Sequence, residues 1–226
     1  LQGVHVTYSR FEERSFSDWD YAVVTSRYMT PYQLKNRLWP PSNSIHVVYS
    51  DSVPLCTVLK RTTKDDYYGF RALNEGRSAD AVKYLQDALE KNKNDEMIFF
   101  NLADALSENG QPEKADSVLK EALLVNPDSE PVLMYLGNMA ASGKRYNEAE
   151  NYYKRLLDVN SKYFEAYVEL AKLVESRDRQ AARDLLRQCL TINPVFKPAM
   201  ITLADTYRST NPEIADKYDE MARLIK

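Results

Sequence analysis

Tyr28, Tyr32 and Trp39, with Arg27, Lys35 and Arg37 beside them, form the one cluster in this 226-residue chain whose side chains could grip a glycan or the phosphate of a lipid headgroup. Aromatic faces stack on the apolar faces of sugar rings, and a guanidinium pairs bidentately with phosphate. The same residues admit a plainer reading, in which Tyr32 and Trp39 cover a sheet and the basic groups are solvated. Elsewhere the chain offers little chemistry. His5 and His46 are its only histidines, and neither has a second His or Cys at ligand spacing, so no metal site is expected. The sequence has no Gly-rich phosphate loop, serine nucleophile elbow or metalloprotease helix. Acidic pairs such as Glu12-Glu13 and Asp65-Asp66 read as solvated charges. These residues are therefore expected to form no enzyme and to need no cofactor.

Composition sets mild bounds. A chain with 44% apolar and 28% charged residues is ordinary for a soluble globular protein. A net charge of −3 gives no reason to expect nucleic acid or an anionic membrane as partner. No apolar run approaches the roughly 20 residues that span a bilayer. The chain opens at Leu1 without Met or a signal-like stretch and is read as a piece of something longer. Cys56 falls in a strand-like run and Cys189 on a helical seam, which suits two buried free thiols packing as small hydrophobes better than a disulfide or redox pair.

The elements that would carry any site follow a repeat. Gly69, Ala103, Gly137, Ala171 and Ala204 lie 34, 34, 34 and 33 residues apart, and Ala81, Ala115, Ala149 and Ala182 run beside them at the same period. Leu102, Leu136, Leu170 and Leu203 each precede a small residue. Small residues belong where two helices cross closely. The first repeat predicts one helix over 65–74 and a second over 78–91, turning at Gly76 as the next turns at Gly110, because a helix end favours a left-handed residue there. Ala81, Leu85, Ala88 and Leu89 give the second helix an apolar stripe. The repeat over 96–129 is the most regular, with Phe99, Leu102, Ala103 and Leu106, then Pro112 opening a helix that carries Ala115, Leu119 and Ala122. The third, over 130–163, puts Leu156 at a small seam position, so its helices are expected to splay slightly. The fourth, from Phe164, fits if one residue is lost from its inter-helix turn. The last runs from Lys197, and Pro212 opens a charged closing helix that protects the end of the stack. Tyr152, Tyr153, Tyr163 and Tyr167 fall at packing positions and read as core.

With several matched positions in each repeat, residues 63–226 resemble the tetratricopeptide family. The resemblance implies a mainly α fold: an α-α superhelix of about five repeats, near 62–95, 96–129, 130–163, 164–196 and 197–226. It also implies binding to a protein or peptide. In this family the first helix of each repeat lines the inner wall. The fifth residue of each repeat is then Asp66, Phe100, Met134, Val168 and Ile201, and the ninth is Phe70, Asp104, Asn138, Lys172 and Asp205. A candidate groove of Phe70, Phe100, Asp104, Met134, Asn138, Val168, Lys172, Ile201 and Asp205 follows, an apolar strip flanked by mixed polar groups that suits an extended or helical peptide. Phe100 and Met134 could instead pack under a neighbouring element. Members that clamp a C-terminal carboxylate use inner basic residues with asparagines. Only Asn138 and Asn101 resemble that pattern here, so a chaperone-tail adaptor is not expected.

Residues 1–62 follow another grammar. Tyr21–Thr25, Ile45–Tyr49 and Leu55–Leu59 read as strands, and Thr30-Pro31 opens a helix that Pro40-Pro41 ends. Asp51-Ser52-Val53-Pro54 reads as a reversal. The result is a small β-α-β-β unit, with Val4–Tyr8 as a further candidate strand. Asp20-Tyr21-Ala22-Val23, Pro31-Tyr32-Gln33-Leu34, Leu38-Trp39-Pro40-Pro41, Ile45-His46-Val47-Val48 and Val53-Pro54-Leu55-Cys56-Thr57-Val58-Leu59-Lys60-Arg61 look like the segment that follows the transmembrane region in bacterial polytopic glycosyltransferase-like proteins. These are similar to protein O-mannosyltransferases, and in some of them tetratricopeptide repeats come next. The resemblance covers about Trp19 to Gly69. It implies a non-catalytic tail on the periplasmic face of the inner membrane, tied to the membrane only through a missing N-terminal transmembrane region. The alternative is a stand-alone soluble scaffold, cytoplasmic and unrelated to glycosylation.

Overall fold

The computed structural model of the protein describes residues 21–25, 44–60, 63–93 and 95–225. Three antiparallel strands come first: β1 (Tyr21–Thr25), β2 (Ser44–Ser50) and β3 (Val53–Lys60), in the order β1-β3-β2. The reversal between β2 and β3 is shorter than the sequence predicts. Asp51 and Ser52 take it alone, at φ 49° and 68°, because two left-handed residues give a hairpin turn whose twist matches the strands. Val53 and Pro54 already belong to β3. Pro54 has no N–H for the ladder, and the register shifts between Val48 and Tyr49, next to its partner position. The helix expected from Thr30 to Trp39 and the candidate strand Val4–Tyr8 lie outside the described residues.

Helices follow in pairs: α1 (Asp65–Asn74) with α2 (Ser78–Lys91), α3 (Glu96–Glu108) with α4 (Pro112–Val125), α5 (Glu130–Ser142) with α6 (Tyr146–Val159), α7 (Phe164–Val174) with α8 (Arg179–Ile192), and α9 (Lys197–Arg208) with α10 (Pro212–Leu224). By compactness the chain divides into two units, Leu1–Ser129 and Glu130–Lys226, a division that falls within the repeats. Proline opens α4 and α10 at a first-turn position, where a missing N–H costs nothing. The Asp95 carboxylate caps α3 by accepting from the Met97 N–H at 3.1 Å.

The small-residue seam has a direct geometric cause. A Cβ on Gly69 would sit 2.5 Å from Cγ of Leu85, and one on Gly137 would sit 2.4 Å from Cε1 of Tyr153. Leu85, Leu119, Tyr153 and Leu186 are the large side chains opposite the small ones, and all are buried. Leu156, which replaces the Ala88, Ala122 and Cys189 of the other repeats, is buried as well. Unit 2 builds a core that includes Tyr153, Tyr167, Leu170, Leu186, Leu203 and Tyr207. Where earlier second helices carry Leu89, Leu123, Leu157 and Leu190, α10 carries the exposed Arg223, as suits a closing helix.

The turns inside the pairs come in two designs. In the first three repeats a left-handed residue, Gly76, Gly110 or Lys144 (φ 72°, 71° and 59°), ends the first helix. The following N–H then reaches back five residues: Arg77 to Ala72 O, Gln111 to Leu106 O and Arg145 to Ala140 O, each at 2.8 Å. The fourth repeat loses one residue here, as its spacing predicts. Asp178 N–H closes on Val174 O at 2.9 Å, and the Asp178 carboxylate accepts from Ala181 N–H at 2.9 Å. Asn211 does the same for α10 through Ile214 N–H. A side-chain cap thus replaces the left-handed residue. Lys144 is the exception among the longer turns, since a side chain in that conformation costs about 1 kcal/mol. Lys144→Gly is expected to raise the unfolding free energy by about that amount, read from urea melts.

One polar feature shares the period of the small-residue seam. Asn92, Asn126, Asn160 and Asn193 stand at the C-terminal ends of α2, α4, α6 and α8. Asn126 Nδ2 donates to Glu96 Oε2 and Asn160 Nδ2 to Glu130 Oε2, both at 2.8 Å, so each ties the end of a repeat to its beginning. Their Oδ1 atoms accept from Asp128 N–H and Lys162 N–H and shape the turn onward.

Candidate functional site

The first helix of each pair presents the candidate face, and each unit carries its own share. In unit 1, Phe70 on α1 and Phe100 and Asp104 on α3 are half-buried. Between them in sequence, Asn101 is only 6% exposed, and its Nδ2 has no hydrogen-bond partner among the described residues.

In unit 2 the face belongs to α5, α7 and α9. Asn138, Lys172 and Asp205 hold the same repeat position on these helices, and all three are exposed. One residue earlier Gly137, Ala171 and Ala204 are buried, because a step of 100° around a helix carries the chain from the seam to the open side. The apolar positions behave unequally. Ile201 is 42% exposed, Met134 is half-buried against the core, and Val168 at 4% exposure is part of that core. Val168 therefore supports this face from beneath, since α7 packs against both α6 and α9.

The electrostatics of the face are mixed and local. Lys172 Nζ lies 2.8 Å from Glu169 Oε1. Asp205 takes Arg208 Nη2 at 2.9 Å, and the same guanidinium reaches Asp219 at 3.1 Å, which holds Arg208 above its ordinary pKa range. Asn138 is held differently. The Tyr153 hydroxyl donates to its Oδ1 at 2.8 Å, from a side chain that is 1% exposed. Burial pushes the Tyr153 pKa up to about 12, so the hydroxyl keeps its proton at neutral pH. Sequence reasoning placed Tyr153 in the core, where it is, and missed the polar contact. The signal was present: Tyr153 stands where Leu85, Leu119 and Leu186 stand in other repeats.

An amide, an ammonium, a carboxylate and an isoleucine can hydrogen-bond, pair and bury apolar surface. Among the described residues no group of three or more His, Cys, Asp or Glu is placed to hold a metal ion. Neither cysteine is in a disulfide. Cys189 is buried with its thiol directed at Phe164 O, 3.9 Å away, and burial pushes its pKa up to about 11, which keeps it an inert thiol at neutral pH. Cys56 is half-buried on β3. Arg27, Tyr28, Tyr32, Arg37 and Trp39, the candidate glycan or phosphate contacts, lie outside the described residues. No described helix is long and apolar enough to cross a membrane.

Comparison with known proteins bears on the repeats. No curated protein matches the chain in sequence. A crystal structure of MamA aligns at a TM-score of 0.60 and 20% identity over 69% of this chain and 92% of its own. MamA 41-end from Desulfovibrio magneticus RS-1 aligns at 0.61 and 16% identity over 71% and 92%. Residues 72–136 match the family model for the tetratricopeptide repeat, and the helix pairs from α1 to α10 have the tetratricopeptide fold.

Proposed function

We propose that this chain is a non-catalytic protein-interaction module that holds a peptide segment of a partner protein against the first-helix face of unit 2. The observation that carries the reading is the exposed line of Asn138, Lys172 and Asp205 at one repeat position, with Ile201 beside it as an apolar anchor. A charge of each sign, a neutral amide and a partly exposed aliphatic side chain suit a segment with mixed polar groups and one apolar residue. Peptides selected from a random phage-displayed library on the full chain supply the probe. Lys172→Glu and Ile201→Asp are each expected to weaken such a peptide about tenfold with melting unchanged. Affinity that survives both substitutions would refute this placement of the partner.

In the same reading the chain is the periplasm-facing C-terminal region of a membrane glycosyltransferase-like protein and brings that partner to it. Support comes from the residues of β1, β2 and β3, which look like the segment after the membrane domain of such proteins, and from the repeats that follow them. A C-terminal tag on the full-length protein is expected to stay with the membrane and to be removed by protease added outside the inner membrane. A soluble, protected tag would contradict it.

A further inference from the structure

We infer that Tyr153 is a positioning residue: its buried hydroxyl fixes the Asn138 side chain so that Nδ2 is offered to a main-chain carbonyl of the bound segment. The inference rests on the binding face proposed above and goes on to name what that face recognises.

Packing alone does not account for this tyrosine. Opposite the small seam residue, three other repeats use Leu85, Leu119 and Leu186, all buried. Repeat three puts a phenol there and gives up the Cβ at Gly137, whose replacement would lie 2.4, 2.7 and 3.0 Å from Tyr153 Cε1, Cδ1 and Cζ. A hydroxyl taken into a core needs a hydrogen-bond partner, which leucine does not. Tyr153 finds its partner in the Oδ1 of Asn138, 2.8 Å away on the exposed side of α5. Tyr at 153, in the space that Gly137 leaves open, threads one polar group from the interior to the open face.

The consequence for Asn138 is chemical. An amide has one acceptor oxygen and two N–H donors. With Oδ1 engaged by Tyr153, the part left facing solvent is the donor end. Its natural partner is an acceptor, and a main-chain carbonyl is the acceptor that every extended segment carries whatever its sequence. Because the rotamer is set before binding, less side-chain entropy is lost on association. Lys172, Asp205 and Ile201 then select side chains, while Asn138 holds the backbone.

Tyr153→Phe tests this, since it keeps the ring that fills the space above Gly137 and removes only the hydroxyl. In the free full chain, the Asn138 side-chain NH2 should show restricted motion by 15N relaxation, and Tyr153→Phe should release it. Against a peptide selected on the wild-type chain, Tyr153→Phe and Asn138→Ala should each lose about five- to tenfold in affinity, and the double variant no more than either alone. One ester-for-amide replacement along the peptide, which weakens a single carbonyl acceptor, should cost affinity for the wild type and not for Asn138→Ala. Unchanged Asn138 motion in Tyr153→Phe overturns the inference whatever the peptides do. So does wild-type affinity in Tyr153→Phe alongside a loss in Asn138→Ala. If Lys172→Glu and Asn138→Ala both bind as wild type while the amide is still pinned by Tyr153, the binding face itself is misplaced.

Discussion

Gly137→Ala should cost the protein about 2–3 kcal/mol of unfolding free energy in urea, a large loss for a single added methyl group. The new Cβ would meet the ring of Tyr153 at 2.4 Å, well inside any real carbon contact, and the ring is buried with no open side to move into. Overpacking of this kind typically costs 1–3 kcal/mol, and a rigid aromatic neighbour places it near the upper end. The protein already contains the remedy. Ala103 with Leu119 and Ala171 with Leu186 hold the equivalent positions in the second and fourth repeats, all buried, so an alanine and a leucine can share this seam, although Leu85 in the first repeat leaves Gly69 no room for a Cβ. Gly137→Ala combined with Tyr153→Leu should therefore recover most of the stability lost by Gly137→Ala alone, a strong favourable coupling between the two sites. Two losses that simply add would show that the repeats do not share one packing rule.

Arg183→Ala should release the last helix pair, at a cost of about 2 kcal/mol, seen as faster amide hydrogen exchange across α9 and α10. Arg183 is on α8, yet most of what it touches belongs to the end of α9. Its Nη2 donates to Thr206 O at 2.6 Å and to Thr210 Oγ1 at 2.8 Å, its Nε to Thr206 Oγ1 at 3.2 Å, and its guanidinium carbon lies 3.8 Å from the centre of the Tyr207 ring. A cation at a helix C-terminus, where carbonyls lack partners, is favourable twice, through hydrogen bonds and through the helix dipole. Charged hydrogen bonds contribute about 1.5–3 kcal/mol each at best and the stacked ring about 0.5–1 kcal/mol, from which solvent screening at this half-buried site subtracts. Arg187 adds a hydrogen bond to the Tyr207 hydroxyl. Arg183→Lys should rescue little, because an ammonium can neither fork between Thr206 and Thr210 nor lie flat on the ring. Exchange in α5 and α6 should not change.

Much of the helical architecture was legible because it rests on spacing. The small residues at 69, 103, 137, 171 and 204 located the seam, and the bounds 65–74 and 78–91 match α1 and α2. The missing residue of the fourth turn was legible for the same reason, as a period of 33 where 34 was due. What spacing could not give was the surroundings of equivalent positions. Val168 and Ile201 occupy one repeat position, but α7 is flanked by α6 and α9 while α9 has only α10 beyond it, so one is core and the other is partly open. Nor does a lysine announce a left-handed turn. Lys144 takes φ 59° because the repeat geometry at that turn demands it, against the preference of its own side chain. The Tyr153 hydroxyl was hidden by a correct assignment: the ring is core, and the polar tip is the exception that only distances reveal.

The most direct test of the binding face is chemical-shift mapping on the 15N-labelled full chain titrated with a library-selected peptide. Shifts concentrated at Asn138, Lys172, Ile201 and Asp205, with the Asn138 side-chain amide among them, are the expected result. Shifts centred instead on exposed second-helix residues such as Tyr146 on α6 and Met221 on α10 would contradict it.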